Sequence, residues 1–399
     1  MLALALTLVV GPWLLTQYPQ KGLTSEQALK AKNDVRTTLV QALAGLAVAG
    51  GLAVTYSTYR QNQRDQADRR AEQDRSHQLS VARHVNDLYA KAVEQLGHEE
   101  APVRLGALYS LVQLAQANPH QRQTVVDVMC AYLRMPYAPP DAPKSFSAPK
   151  RDPAQELQVR LTAQRLLADH LRVPSGVSGE DAQELPPTLD ESFWPGINLD
   201  LTGAVLIDFS LNEASVHSAT FLQATFRGLA MFDGVTFTAN VVFDEATFTD
   251  NATFRNAAFN GAAWFRDTSL NGDWSNFGGA NFTSGAWFTR ANFAGEATFR
   301  GATFTGDADF NFATFADAGF GEATFSGGAR FFQATFKGAV RFSGATFSSI
   351  PLCDWAKVLC LDDPHLNKDG KDALRVWPDG WAVRPDTGDP TRGTLVAEE

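Results

Sequence analysis

Histidines, cysteines and close pairs of carboxylates are the residues through which a chain most often does chemistry, and here their spacing assembles no site. The seven histidines, His77, His84, His98, His120, His170, His217 and His365, are scattered with no metal-ligand spacing. His98-Glu99-Glu100 sets an imidazole beside two carboxylates, yet no second histidine follows at helical spacing and the tripeptide falls in a turn. Cys130, Cys353 and Cys360 cannot all pair and include no CxxC, so they suggest neither a disulfide framework nor a zinc site, and they fit a reducing compartment. No phosphate-binding glycine loop leads into a helix, and no nucleophile elbow is present. Asp208, Glu213, Asp233, Asp244, Glu245 and Asp250 read as outward, solvated acids. No catalytic, cofactor-binding or metal-binding residue is expected, no cofactor is expected, and the chain is expected not to be an enzyme.

The elements that would have to position chemistry point elsewhere. A formal net charge of −10 argues against a direct nucleic-acid binder, which would show a basic face. Residues 1–15 are apolar apart from the Gly11-Pro12 break, with no basic residues before them and no small-residue cleavage site after, so they read as a short membrane span rather than a secretory signal. Residues 37–59 carry no charge, are flanked by Arg36 and Arg60, and have Tyr56 and Tyr59 near one edge, which is what a transmembrane helix requires. Together they predict a membrane hairpin. The lysines and arginines on its two sides nearly balance, and the free thiols place the C-terminal bulk in the cytoplasm.

Beyond Arg60 a stretch polar on every side continues the helix, able to pair with a copy of itself but not to bury a core. From Leu79 apolar residues return at helical spacing and stop at Gly97. Pro102 opens a second helical run, Asn118-Pro119 a third that ends before Pro136, and Asp152-Pro153 a fourth through Leu171. Short helices with one apolar face each make a small bundle or an armadillo-like stack.

The second half follows another rule. Of 28 phenylalanines, all but Phe146 and Phe193 lie between Phe209 and Phe347. Leu201, Leu206, Leu211, Val216 and Phe221 stand five residues apart, and the rungs that follow alternate mainly between five and six, with a disturbance around Leu270 and Trp274. A small residue stands two before nearly every rung. Gly, Thr, Asn and Phe in such density disfavour a helix, and odd steps would turn alternate rings to opposite faces of a flat strand. A solenoid remains, with one short side per step, a corner between steps, and alanine alternating with phenylalanine to fill the axis.

Ala-Thr-Phe-Thr-Gly, Ala-Asn-Phe-Ala-Gly and Ala-Thr-Phe-Ser-Gly resemble the A-(D/N)-L-x-x motif of pentapeptide-repeat proteins, in a variant with Phe at the centre. The resemblance implies a right-handed quadrilateral β-helix with coils of about 22 residues, in which Phe221, Phe243, Phe265, Phe288, Phe310 and Phe331 form one column. The helical stretches Ala92–Gly97, Val103–Gly106 and Val126–Tyr137 are similar to the segment ahead of such repeats in bacterial membrane-associated members. The expected fold is therefore multi-domain, α plus β-solenoid: residues 1–60 two transmembrane helices, 61–78 a polar connecting helix, 79–172 a small all-α module, 173–195 a linker, 196–350 the β-helix, and 351–399 a C-terminal cap and tail. Residues 353–361 read as a short amphipathic helix of that cap, and residues 376–381 as a turn-linked hairpin. The expected function is that of a multi-pass, membrane-anchored, non-enzymatic scaffold or protein-binding protein, with the lipid bilayer and unidentified proteins as partners, homo-oligomers allowed, and no direct nucleic acid. The alternative is an acidic nucleic-acid mimic, since some proteins of this family imitate the duplex and bind DNA gyrase.

Overall fold

The computed structural model describes residues 24–140, 151–184, 192–361 and 375–397. It divides into two units, residues 1–85 and 86–399. The expected first span, residues 1–15, lies outside the described residues. Among the described residues one helix is long and apolar enough to cross a membrane. This is α1, Ser25–Leu96, whose 72 residues run unbroken from before the uncharged stretch to the start of the bundle. The polar stretch after Arg60 is thus part of the same helix. It lacks proline, and its Gly50-Gly51 pair lies within an apolar run of good helix formers.

In the second unit, the last turns of α1 bury Ala92 and Leu96. α2, Ala101–Ala117, starts with proline in its first turn. After a single 3-10 turn, Pro119–Gln121, comes α3, Arg122–Arg134. Asn118 therefore introduces the 3-10 turn rather than capping an α-helix directly. α4, Pro153–Leu171, is capped by Asp152, whose carboxylate accepts from the Ala154 N–H at 2.8 Å and the Gln155 N–H at 3.4 Å. Leu108, Leu111, Val125, Val126, Met129, Leu133, Val159, Ala163 and Leu167 form the core of this module. An ionic cluster crosses it: Glu156 meets Arg104 at 3.0 Å and Arg160 at 3.2 Å, and accepts from the Tyr132 hydroxyl at 2.7 Å.

From Asn198 onward the chain is a parallel β-solenoid with four sides per coil. Its parallel strands are mostly two or three residues long, and each pairs in register with the strand about 22 residues on, for example Thr303↔Thr324 and Phe304↔Phe325. The rings of each side pile into a column. Phe221, Phe243, Phe265, Phe288, Phe310 and Phe331 stack at 4.7–5.0 Å on the first side. Phe232, Phe254, Phe277, Phe299, Phe320 and Phe342 stack at 4.7–5.0 Å on the third. Rings of these two columns meet edge to face, as Phe299 and Phe310 do at 5.4 Å and 80°. Each aromatic pair adds about 0.5–1.5 kcal/mol beyond its buried area.

The two-beat step has a structural cause. Steps of five follow the first and third sides, where the residue two past the ring turns at positive φ: Glu245 at 57°, Asp267 at 55° and Arg290 at 60° after the first, Asn256 at 54° and Glu322 at 59° after the third. Most steps after the second and fourth sides use six residues, and there glycine mainly answers close approach, although Gly228 also turns at a φ of 74°. A Cβ on Gly306 would overlap the Ser284 carbonyl, and one on Gly327 would overlap that of Gly306. The disturbance near Leu270 is no kink. Ser269 and Leu270 keep register with Thr247 and Phe248 on one side and with Asn292 and Phe293 on the other. Leucine occupies a ring position, and the corner to Phe277 is one residue longer.

Residues 353–361 do not form the expected helix. Cys353 and Val358, five apart, continue the first and second columns, and Lys357–Val358 pairs in parallel with Thr335 and Phe336. The hairpin expected at residues 376–381 lies further on, between Trp381–Asp386 and Asp389–Ala397, and its second strand pairs antiparallel with Lys357–Val358. It covers the second sheet where the regular coils end.

Candidate interaction surface

A solenoid's first coil carries strand edges with no preceding coil, and buried unpaired backbone is costly. Here the helical module covers those edges with side chains. Gln123 of α3 donates to the Asn198 carbonyl at 2.9 Å and accepts the Asn198 N–H at 2.9 Å. Gln164 of α4 treats Ile207 on the second side in the same way. The chain after α4 completes the ring: Val173 N–H donates to the Glu213 carbonyl at 2.9 Å, and Trp194 stacks on His170 at 4.1 Å while its indole donates to Gln116 at 3.0 Å. Arg134 also pairs with Asp200. None of these contacts has a short sequence motif. The glutamines do not announce themselves either, since α4 carries Gln155 and Gln158 as well as Gln164.

The outward side chains form ladders of their own. Asp233–Arg255, Asp244–Arg266, Asp267–Arg290, Asp307–Arg330 and Glu322–Arg300 each join one coil to its neighbour. Asp233 and Asp244 are therefore not the freely solvated acids expected from sequence, because an arginine one coil along lies over each carboxylate. Burial opposes the charge on Asp233, but hydrogen bonds from Arg255 and Thr253 outweigh it and hold the carboxyl below its ordinary range. The Arg290 guanidinium holds Asp267 low, and Arg330 does the same for Asp307. This pairing breaks the surface into alternating charges and gives no support to an imitation of a nucleic-acid duplex, whose charge is of one sign.

His98 sits at the start of α2. Its ring accepts from the Glu100 N–H at 3.1 Å, and the His98 and Glu99 carbonyls accept from Arg104. The residues of the metal-like tripeptide thus anchor a buried arginine. Among the described residues no three His, Cys, Asp or Glu side chains lie close enough to hold a metal ion. Burial pushes the thiols of Cys130 and Cys353 up to about 12, which keeps them protonated and unreactive.

Sequence reading missed a group of outward aromatics. Phe312 and Trp355 both sit at positive φ, 60° and 59°, and are 45% and 67% exposed, with Phe332 packed edge-on to Phe312 at 5.6 Å. The Phe ladder hid Phe312 and Phe332, since inward and outward rings there have the same letter and only register separates them. At the C-terminal end, a cleft of about 650 Å³ is lined by Phe342–Pro351 and Val376–Asp379.

These features define a phenylalanine-centred parallel β-solenoid, sealed at one end by helices and built from a repeated five- or six-residue side. Residues 243–292, 273–314 and 288–335 match the sequence model of the family described as pentapeptide repeats (9 copies), so this stretch is a pentapeptide-repeat domain. No curated protein and no solved structure matches the chain.

Proposed function

We propose that this protein is a membrane-anchored, non-enzymatic scaffold that presents its solenoid, a right-handed rod in keeping with the family resemblance, to other proteins. The observation that carries the reading is the filled axis. Phe232, Phe243, Phe254, Phe265, Phe277, Phe288, Phe299 and Phe310 are all fully buried, so the rod has surfaces for contact and no internal chamber for a substrate. The uncharged helix 37–59 supports the anchor, with residues 1–15 as the second span of a multi-pass hairpin and the C-terminal units in the cytoplasm. The domain limits given from sequence belong to the same proposal.

The test is photocrosslinking in native membranes from outward solenoid positions such as Thr305 and Asn311, followed by mass spectrometry, with carbonate extraction to establish integral insertion. Specific protein neighbours and resistance to carbonate are expected. Release by carbonate would overturn the anchor, and a crosslinked rod without protein neighbours would overturn the scaffold.

A further inference from the structure

After Phe347 the solenoid attempts one more coil and completes three of its four sides. Leu352 bridges Arg330 on the first side, Lys357–Val358 extends the second, and Arg375–Val376 pairs with Val340–Arg341 on the third. That register puts Trp377 one step above Phe342. The chain then turns at Gly380, where φ is 83°, and leaves for the terminal hairpin instead of making a fourth side. Among the described residues, the fourth sheet ends at Thr346–Phe347.

Three observations define what this end would accept. In the coil below, the Ala323 and Phe325 carbonyls receive the N–H groups of Thr346 and Ser348, each at 2.9 Å. The corresponding carbonyls of the last coil, Ala345 and Phe347, have no strand beyond them among the described residues. Phe347 stacks on Phe325 at 4.7 Å, has no ring stacked on its other face among the described residues and is only half-buried, whereas Phe237, Phe259, Phe282, Phe304 and Phe325 in the same column are at most 1% exposed. Ile350, 76% exposed, stands beside it. The cleft over this edge, about 650 Å³, has Trp377 and Pro378 in its far wall, and its volume is in the range that encloses a small ligand.

Resting on the scaffold reading, we propose that this end binds an extended peptide by strand addition, parallel to Thr346–Phe347. The peptide carries a small residue, a polar residue and an aromatic in succession. Its N–H groups on either side of the aromatic donate to the Ala345 and Phe347 carbonyls, and the aromatic ring covers Phe347. Main-chain bonds give the affinity, and the ring pocket gives the choice of sequence. An added parallel strand would pair those carbonyls in the geometry that the coils below already use.

The test uses the full chain in detergent and fluorescein-labelled Gly-Glu-Ala-Thr-Phe-Ser-Gly, the sequence of residues 321–327, read by fluorescence anisotropy. Saturable binding is expected. It should weaken at least tenfold when the peptide's Thr and Ser amides are N-methylated, and at least tenfold for Ile350→Asp, an exposed substitution whose folding is checked by circular dichroism. Absence of saturable binding, or equal binding of the N-methylated peptide, overturns the proposal. So does binding that emerges only after residues 362–374 are deleted, because the chain itself would then close the side. If the peptide fails while crosslinking from the outward faces still recovers neighbours, strand addition alone is wrong. If both fail, the scaffold reading falls with it.

Discussion

The side-chain amide of Gln164 makes with Ile207 the two bonds that another strand would make: its Nε2 donates to the carbonyl at 2.7 Å, and its Oε1 accepts the N–H at 3.1 Å. Gln123 repeats the arrangement at Asn198 on the adjoining side. A primary amide has the donor and acceptor of a peptide group, so a helix can end a sheet without contributing a strand. Replacing either glutamine with leucine keeps much of its volume and leaves a backbone N–H and C=O unpaired. Each substitution is expected to cost about 1–3 kcal/mol, measured by urea denaturation. The double variant should also expose the first-coil amides, read as faster hydrogen exchange at Asn198 and Ile207 while the central coils stay protected.

Leu270 shows how much freedom the ring columns have. It stands between Phe248 and Phe293 with its neighbours in register and is 1% exposed. A second leucine at an equivalent second-side position should therefore be tolerated. Phe315→Leu is expected to cost less than about 1.5 kcal/mol. Phe288→Ala, in the first column where each ring touches stacked and edge-on neighbours, is expected to cost about 3–5 kcal/mol. Denaturant midpoints compare the two directly. Equal costs would mean that ring identity, rather than filled volume, holds the axis together.

The fold's periodicity was readable because a solenoid repeats its environment: every inward position at one step needs the same large residue, so packing is written into the sequence many times over. The corners are less open to reading. Glu245, Asn256, Asp267, Arg290 and Phe312 all adopt the same positive-φ turn, which no single residue type announces. The ends are least open. Cys353 and Val358 continue the columns without phenylalanine, and a stretch with helical composition became a coil because the edge beneath it already dictated register. The candidate surface suffered most, since Phe312 and Phe332 share a letter with the core and differ only in the side on which they emerge.

Tyr132 gives the helical module a dependence on alkaline pH. Burial, then its hydrogen bond to Glu156, raise the phenol from 10.0 to about 12. A folded-state value above the unfolded one favours the protonated form of the native state. The contribution is therefore complete below about pH 10 and is lost as pH rises through about 12. Tyr132→Phe removes the ionisable group, so its stability should fall less steeply across that window than the wild type's, even if it begins lower. Parallel slopes in pH-dependent denaturation would mean that Tyr132 titrates as an ordinary phenol.

The last prediction concerns the uncharged part of α1. Val48 lies near the middle of residues 37–59 and is 63% exposed. If the stretch meets lipid, a charge at its centre costs about 2.5–3.5 kcal/mol in insertion, while a charge on a water-exposed helix costs almost nothing. Val48→Arg should then reduce the carbonate-resistant fraction severalfold, and Val48→Leu should leave it unchanged. Moving the same arginine to Gln63, beyond the flanking Arg60, is the internal control and should not affect insertion. Retention of Val48→Arg in the membrane at wild-type level would mean that the helix is held there by something other than its own uncharged run.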